Sequence, residues 1–222
     1  MHAHLADIPQ GLQRVGAGAT HARHRHGSAY AAVVLSGCYE EAGPRGRFRM
    51  RSGDVLFHAA FESHCDRFER RDAQILNLPL PATTLCGGGR CRDIDRVVRL
   101  AETDARAAVE ALMSDLEPIA APSGDWPDLL VAALGRDPSL ALADWAARHH
   151  LSGETLSRGL RRAYGTPPAA LRREIRAQRA WHLLTTTARG LAEIALACGF
   201  ADQAHMTREV ALLTGRTPGQ WR

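Results

Sequence analysis

Three groups of residues in this sequence have types and spacings suited to chemistry. The first is a set of histidines near the N-terminus. His24 and His26 are separated by one residue, so on a β-strand both imidazoles point to the same face. The second lies along 203–208, where Gln203, His205, Thr207 and Arg208 follow one another in a helical pattern. In a DNA major groove Gln bonds adenine, Arg bonds guanine bidentately, and Thr reaches a thymine methyl or a phosphate. The third is Cys86-Gly-Gly-Gly-Arg-Cys91. Its thiols could form a redox pair or part of a metal site, or belong to a flexible exit from the preceding domain.

These groups need elements to position them. Between 20 and 80 the chain shows short strand signals: 30–35 (YAAVVL), 48–50, 55–57 and 74–80, separated by turns at Ser36-Gly37 and Ser52-Gly53-Asp54 and ended by Pro81. Short strands without an intervening helical period suggest a small β-barrel or sandwich. From Arg92 the period changes to three and four through Ile94, Val97, Val98, Ala101, Ala105, Ala108 and Leu112, an amphipathic helix. Its apolar stripe would pair with a copy of itself or pack back on the barrel. Pro118 and Pro127 are read as breaks, followed by a short helix over 129–134.

The C-terminal third reads as helices throughout. A helix over 140–150 is followed by a turn, then a helix capped by Ser152 and stopped at Gly165, with Glu154, Ser157 and Arg158 facing outward. A long helix over 168–186 leads to a helix, a turn at Gly199, and a last helix capped by Asp202 and stopped by Gly215. That gives two helix–turn–helix units, each able to place its second helix in a major groove.

Two resemblances bear on these readings. Residues 138–222 resemble the AraC/XylS family of bacterial transcription regulators through Ile194, Ala195, Gly199, Phe200, Asp202, Gln203, Met206, Val210, Gly215, Thr217 and Pro218, with Arg176, Ala180, Leu183 and Leu184 on the connecting helix. The resemblance implies that the connecting helix holds the two reading helices about one DNA turn (~34 Å) apart. It also implies that Glu154, Ser157 and Arg158, with Gln203, His205, Thr207 and Arg208, face bases or phosphates. The first unit departs from the family pattern: Leu160 replaces an aromatic residue, His150 stands where glycine is common, and Gly159 weakens its helix by about 1 kcal/mol relative to Ala.

The order Gly18, His24, His26, Tyr30, Gly37 resembles the first motif of the cupin barrel, and His64, reached through Gly53 and Asp54, matches the third histidine of its metal-binding members. The resemblance implies a ligand set of His24, His26 and His64 for Zn²⁺ or a similar divalent ion, bound at about 2.0–2.1 Å with one position open. Tyr30 stands in the position of a glutamate ligand and would line the pocket; this departure weighs against an iron-enzyme site. Histidines that line a ligand pocket by hydrogen bonding remain the alternative, and His21 and His58 are read as solvent-facing or at the mouth.

Composition agrees with this division. All 28 basic residues are arginine, a pattern of codon bias and not by itself of phosphate binding. Residues 1–137 hold 16 Arg against 18 Asp and Glu, net −2, and residues 138–222 hold 12 against 6, net +6. A basic C-terminal part on a mildly acidic remainder suits a DNA-binding module joined to a regulatory one. Five scattered cysteines point to a reducing cytoplasm, and neither a secretory signal nor an apolar membrane-spanning run is visible. The expected architecture is α+β: a cupin-like sensor barrel at 1–90, a helical connector at 91–135 with a possible role in dimerisation, and a DNA-binding domain with two helix–turn–helix units at 136–222. The expected function is a one-component regulator, not an enzyme, acting on promoter DNA as a homodimer under a small-molecule or metal effector. The rival readings are a metal-dependent cupin enzyme with a helical appendage and a thiol or metal sensor using Cys86 and Cys91.

Overall fold

A computed structural model of the chain describes residues 4–8, 10–81, 87–119 and 124–222. Two compact units follow one another, a β-rich one over the first part of the chain and an all-helical one from 124 on.

The β-rich unit runs β1 (His4–Ala6), β2 (Gly11–Val15), β3 (Thr20–His26), β4 (Tyr30–Ser36), β5 (Cys38–Gly43), β6 (Gly46–Arg51), β7 (Asp54–His58), β8 (Ser63–Phe68), β9 (Ala73–Pro79), β10 (Gly87–Cys91), α1 (Ile94–Ala101), α2 (Ala105–Ser114) and β11 (Leu116–Pro118). The strands form a five-stranded sheet, β1-β3-β8-β5-β6, and a six-stranded sheet, β11-β10-β7-β4-β9-β2. Strand β4 shows why its sequence is a continuous apolar run. Tyr30, Ala32 and Val34 join a core with Tyr39, Met50 and Phe68 of the other sheet. Ala31 and Val33 point the opposite way, into a second core with Val97, Ala108 and Leu112 of α1 and α2. Both faces of the strand are covered, so strict alternation is lost.

Helices α1 and α2 differ from the single amphipathic helix expected there. The chain breaks at 102–104, and Asp104 caps α2 by accepting from the Arg106 and Ala107 N–H groups. Their apolar stripe packs back on the six-stranded sheet. The expected 91–135 connector is therefore divided: α1 and α2 belong with the sheets, and the next helix belongs with the helical unit. The glycine run expected as a loop is strand over 87–91, paired with β7 and β11, and a Cβ at Gly89 would overlap Leu116 of β11. Cys86 lies outside the described residues.

The helical unit comprises α3 (Trp126–Arg136), α4 (Leu142–Arg148), α5 (Gly153–Tyr164), α6 (Pro168–Thr186), α7 (Leu191–Ala197) and α8 (Gln203–Thr214). Pro127, read as a break, sits in the first turn of α3, where its missing N–H costs nothing. The indole of Trp126 occupies the space above Gly159 that a Cβ would fill, and Tyr164 donates a hydrogen bond to buried Asp128. Gly159 is thus the notch by which α3 seats on α5.

Gly159→Ala should lower the stability of this unit by about 1–3 kcal/mol through overpacking, although alanine is the better helix former by about 1 kcal/mol. In a Trp126→Ala background the same change should stabilise. Denaturant unfolding of the four proteins in the cycle tests this, and equal effects in both backgrounds would rule out the notch.

Candidate ligand centre and nucleic-acid interface

The pairing of β3 with β8 sets His24 directly opposite His64, and β1 adds in parallel on the other side of β3. A register shift between His21 and His24 keeps His24 and His26 turned inward. The rings of His24 and His64 lie 4.3 Å apart by centroid, His24 and His26 4.9 Å, and His26 and His64 5.4 Å. One nitrogen from each lies within 4.8 Å of the other two. Tetrahedral Zn²⁺ holds two imidazole nitrogens about 3.3 Å apart, so small side-chain rotations would close the set.

All three imidazoles are buried. The Nδ1 atoms face backbone carbonyls: His24 to Ala22 at 2.8 Å, His26 to Ala6 at 3.1 Å, and His64 to Glu62 at 3.3 Å. A carbonyl only accepts, so Nδ1 carries the proton and Nε2 keeps its lone pair, the tautomer of a metal-binding histidine with its outer nitrogen tied down. Burial pushes the pKa of His24 and of His26 down. His64 is driven well down, first by burial and then by His58, His24 and His26. At neutral pH these rings are neutral donors.

The histidines line a cavity of about 380 Å³. Tyr30 also lines it, its hydroxyl 3.4 Å from His64 Nε2, with its ring stacked on His58 at 4.3 Å and 10°. His21 lies at the mouth: its Nδ1 is 3.2 Å from Asp66 Oδ2, and that contact raises its pKa against partial burial. His58 corrects the expectation. It is 2% exposed, its Nε2 lies 3.5 Å from Glu41 Oε2, and Glu41 is itself buried. Nothing in the spacing marked Glu41, because β5 enters the wall from elsewhere in the sequence. Cys91 is buried, with its Sγ 3.9 Å from Asp115 Oδ2, and burial raises its pKa away from a reactive thiolate.

In the helical unit, Ser152 caps α5 by accepting from the Thr155 N–H, and Gly165 ends it in the left-handed region. Asp202 caps α8 by accepting from the His205 N–H, and Gly215 ends it likewise. The turn between α7 and α8 rests on Gly199, at φ +74°, where Arg176 of α6 comes so close that a Cβ would press on its guanidinium. Arg176 Nε also donates to Pro138 O at 2.6 Å, tying the long helix to the segment ahead of α4. The second unit is closed by a core of Ala180, Leu184, Ile194, Ala195, Phe200, Met206 and Val210.

The outward faces carry the expected side chains. Gln203 and Arg208 are exposed on α8 and Thr207 is half-buried, while exposed Ala204 leaves room for close approach and was not singled out by the sequence. His205 is more constrained, its ring edge-on to Phe200 at 5.3 Å and its Nε2 3.8 Å from Glu209. On α5, Arg158 pairs with Glu154 at 2.7 Å. Such an exposed i,i+4 pair is worth about 0.3–0.5 kcal/mol and opens readily to a base or phosphate. Ser157 accepts a bond from Arg161 at 2.6 Å, adding an exposed arginine that sequence reading passed over. Between these faces, α6 has 19 residues, a length of about 28 Å.

Arg208→Ala should weaken binding to DNA selected by the wild-type protein from a random pool by about 1–3 kcal/mol, with unfolding unchanged. Unaltered affinity would remove Arg208 from the reading face.

Residues 145–222 match the family model described as a helix-turn-helix domain. Among solved structures the chain is similar to unsaturated-fatty-acid-bound ToxT from Vibrio cholerae, at 12% identity over 95% of this chain and 93% of that one, with a TM-score of 0.43. It is similar to an AraC-type DNA-binding domain-containing regulator from Chromobacterium violaceum, at 28% identity over 42% of this chain and 85% of that one, with a TM-score of 0.40. It is also similar to the C-terminal domain of the response regulator yesN from Fusobacterium nucleatum, at 24% identity over 43% of this chain and 95% of that one, with a TM-score of 0.40. No curated protein matches. Among the described residues no helix is long and apolar enough to cross a membrane. With both turns and both caps in place, residues 145–222 form a helix-turn-helix domain, and in the chain this domain follows a β-rich unit.

Proposed function

We propose that the β-rich unit is a sensor whose cavity takes one divalent metal ion through His24, His26 and His64, and that this occupancy sets the affinity of the helical unit for promoter DNA. The observation that carries the reading is the donor set: three buried neutral imidazoles, each with Nδ1 on a backbone carbonyl, along one cavity wall. Burial first, and then the nearby carboxyls of Glu41 and Asp66, push the Tyr30 pKa well up, so Tyr30 would stay a neutral phenol beside the ion. Tyr30 would line the bound site and steer whatever fills the open position. A cavity of about 380 Å³ also falls in the range of small-molecule sites, about 300–1,000 Å³, so an organic effector is the competing occupant. The regulator is read as a cytoplasmic homodimer and not an enzyme. Because the stripe of α1 and α2 is covered by its own sheet, a dimer would use another surface.

Full-length protein purified without a histidine tag, incubated with Zn²⁺ and dialysed, should retain about one ion per chain, and His26→Ala should lose it. Binding to the selected operator should change by about 5–150-fold on metal removal. A metal-free protein with no thermal shift on adding Zn²⁺ or Ni²⁺ would eliminate the ion and leave the organic effector.

A further inference from the structure

The same cavity holds a second donor set that shares one member with the first. Glu41 on β5, His58 at the end of β7 and His64 on β8 each place a ligand atom within 4.8 Å of the other two. All three are buried, at 3%, 2% and 2% exposure. Strand β5 pairs with β8, Glu41 opposite Asp66 and Ala42 opposite Cys65. Strand β7 brings His58 opposite Tyr30 on β4. Two strand pairings, one in each sheet, therefore bring Glu41 and His58 to the same cavity wall as His64.

We propose that Glu41, His58 and His64 form a second, overlapping cation position suited to Mn²⁺ or Fe²⁺, while His24, His26 and His64 take Zn²⁺. The inference rests on the reading of this cavity as an ion site. The chemistry of the two sets separates the ions. Both sets follow the usual affinity order, in which Zn²⁺ exceeds Mn²⁺ and Fe²⁺, but the harder carboxylate donor narrows that gap, and two histidines with a carboxylate form the donor set typical of non-haem Fe²⁺. Glu41 Oε2 already lies 3.5 Å from His58 Nε2, and a divalent ion between them would add an oxygen–metal bond to that contact. The two positions exclude one another. The Nδ1 of His64 faces Glu62 O at 3.3 Å, so only its Nε2 is available, and one nitrogen lone pair binds one ion. Tyr30, 3.4 Å from that nitrogen and stacked on His58, stands between the sets. The cavity then reports which ion is present, and not only whether one is.

Equilibrium dialysis and Mn²⁺ electron paramagnetic resonance on the tag-free full chain test this. Glu41→Gln keeps the side-chain shape and should weaken Mn²⁺ by about tenfold or more while sparing Zn²⁺. His24→Ala should do the reverse, His64→Ala should weaken both, and Zn²⁺ should displace Mn²⁺ one for one. Circular dichroism and thermal unfolding of the apo proteins check that each variant folds, and His58→Gln gives a second route to the Mn²⁺ position. Mn²⁺ binding indifferent to both Glu41→Gln and His58→Gln, or simultaneous binding of both ions, would overturn the second position and leave the three-histidine reading standing. Failure of the wild-type chain to bind either ion would overturn both.

Discussion

The ligand centre depends on one register, that of β3 against β8. Because side chains alternate along a strand, sliding this pairing by one residue would turn His24 and His26 out of the cavity and bring Arg25 in. The irregularity between His21 and His24 prevents a uniform alternation: His21 ends at the mouth beside Asp66, while the next two histidines stay inside. The parallel addition of β1 completes the arrangement, since Ala6 O is what holds His26 Nδ1. A wall carrying four buried imidazoles and a carboxylate stabilises the unit less than an apolar wall would. Stability comes instead from the far side of the six-stranded sheet, where α1 and α2 close an apolar core.

In the helical unit the controlling constraint is close approach. Arg176 reaches Pro138 and crowds the α7–α8 turn, which only a residue with φ near +74° and no Cβ accommodates without strain. Trp126 seats α3 in the notch at Gly159. The departures from the family pattern in the first unit then have a physical account. A glycine that lowers helix propensity makes room for an indole. His150 adopts the left-handed conformation at φ +54° that glycine takes more cheaply. Leu160 is fully buried where an aromatic is usual.

The helical unit was largely legible in the sequence because its signals are local. Ser152, Gly165, Asp202 and Gly215 act within one turn of where they stand, and the expected limits of α6 agree with the observed helix, Pro168–Thr186. The β-rich unit was less legible because its signals are not local. Strands β2, β5 and β8 carry mixed polar sequences whose partners lie tens of residues away, and β10 is a glycine run that spacing alone describes as a loop. Pro127 misled in the same way: a proline marks a break or a beginning, and only the packing of α3 decides which.

Glu41 shows where reading by motif stops. Tyr30 occupies the motif position at which a carboxylate was sought, yet the cavity has its carboxylate, brought by a strand whose residues follow no recognisable spacing. What recruits it is the shared wall: β5 must pair with β8 to extend the sheet, and Glu41 then falls on the face that His64 occupies. Gathering this carboxyl and the imidazoles on one wall would make the native state a better receptor for the proposed cation than the unfolded chain, and linkage would follow. An ion at one hundred times its dissociation constant would stabilise the folded unit by about 2.7 kcal/mol. In the proposed sensor, the buried groups that weaken this wall would couple its stability to the ion, so sensing and folding would draw on the same few residues.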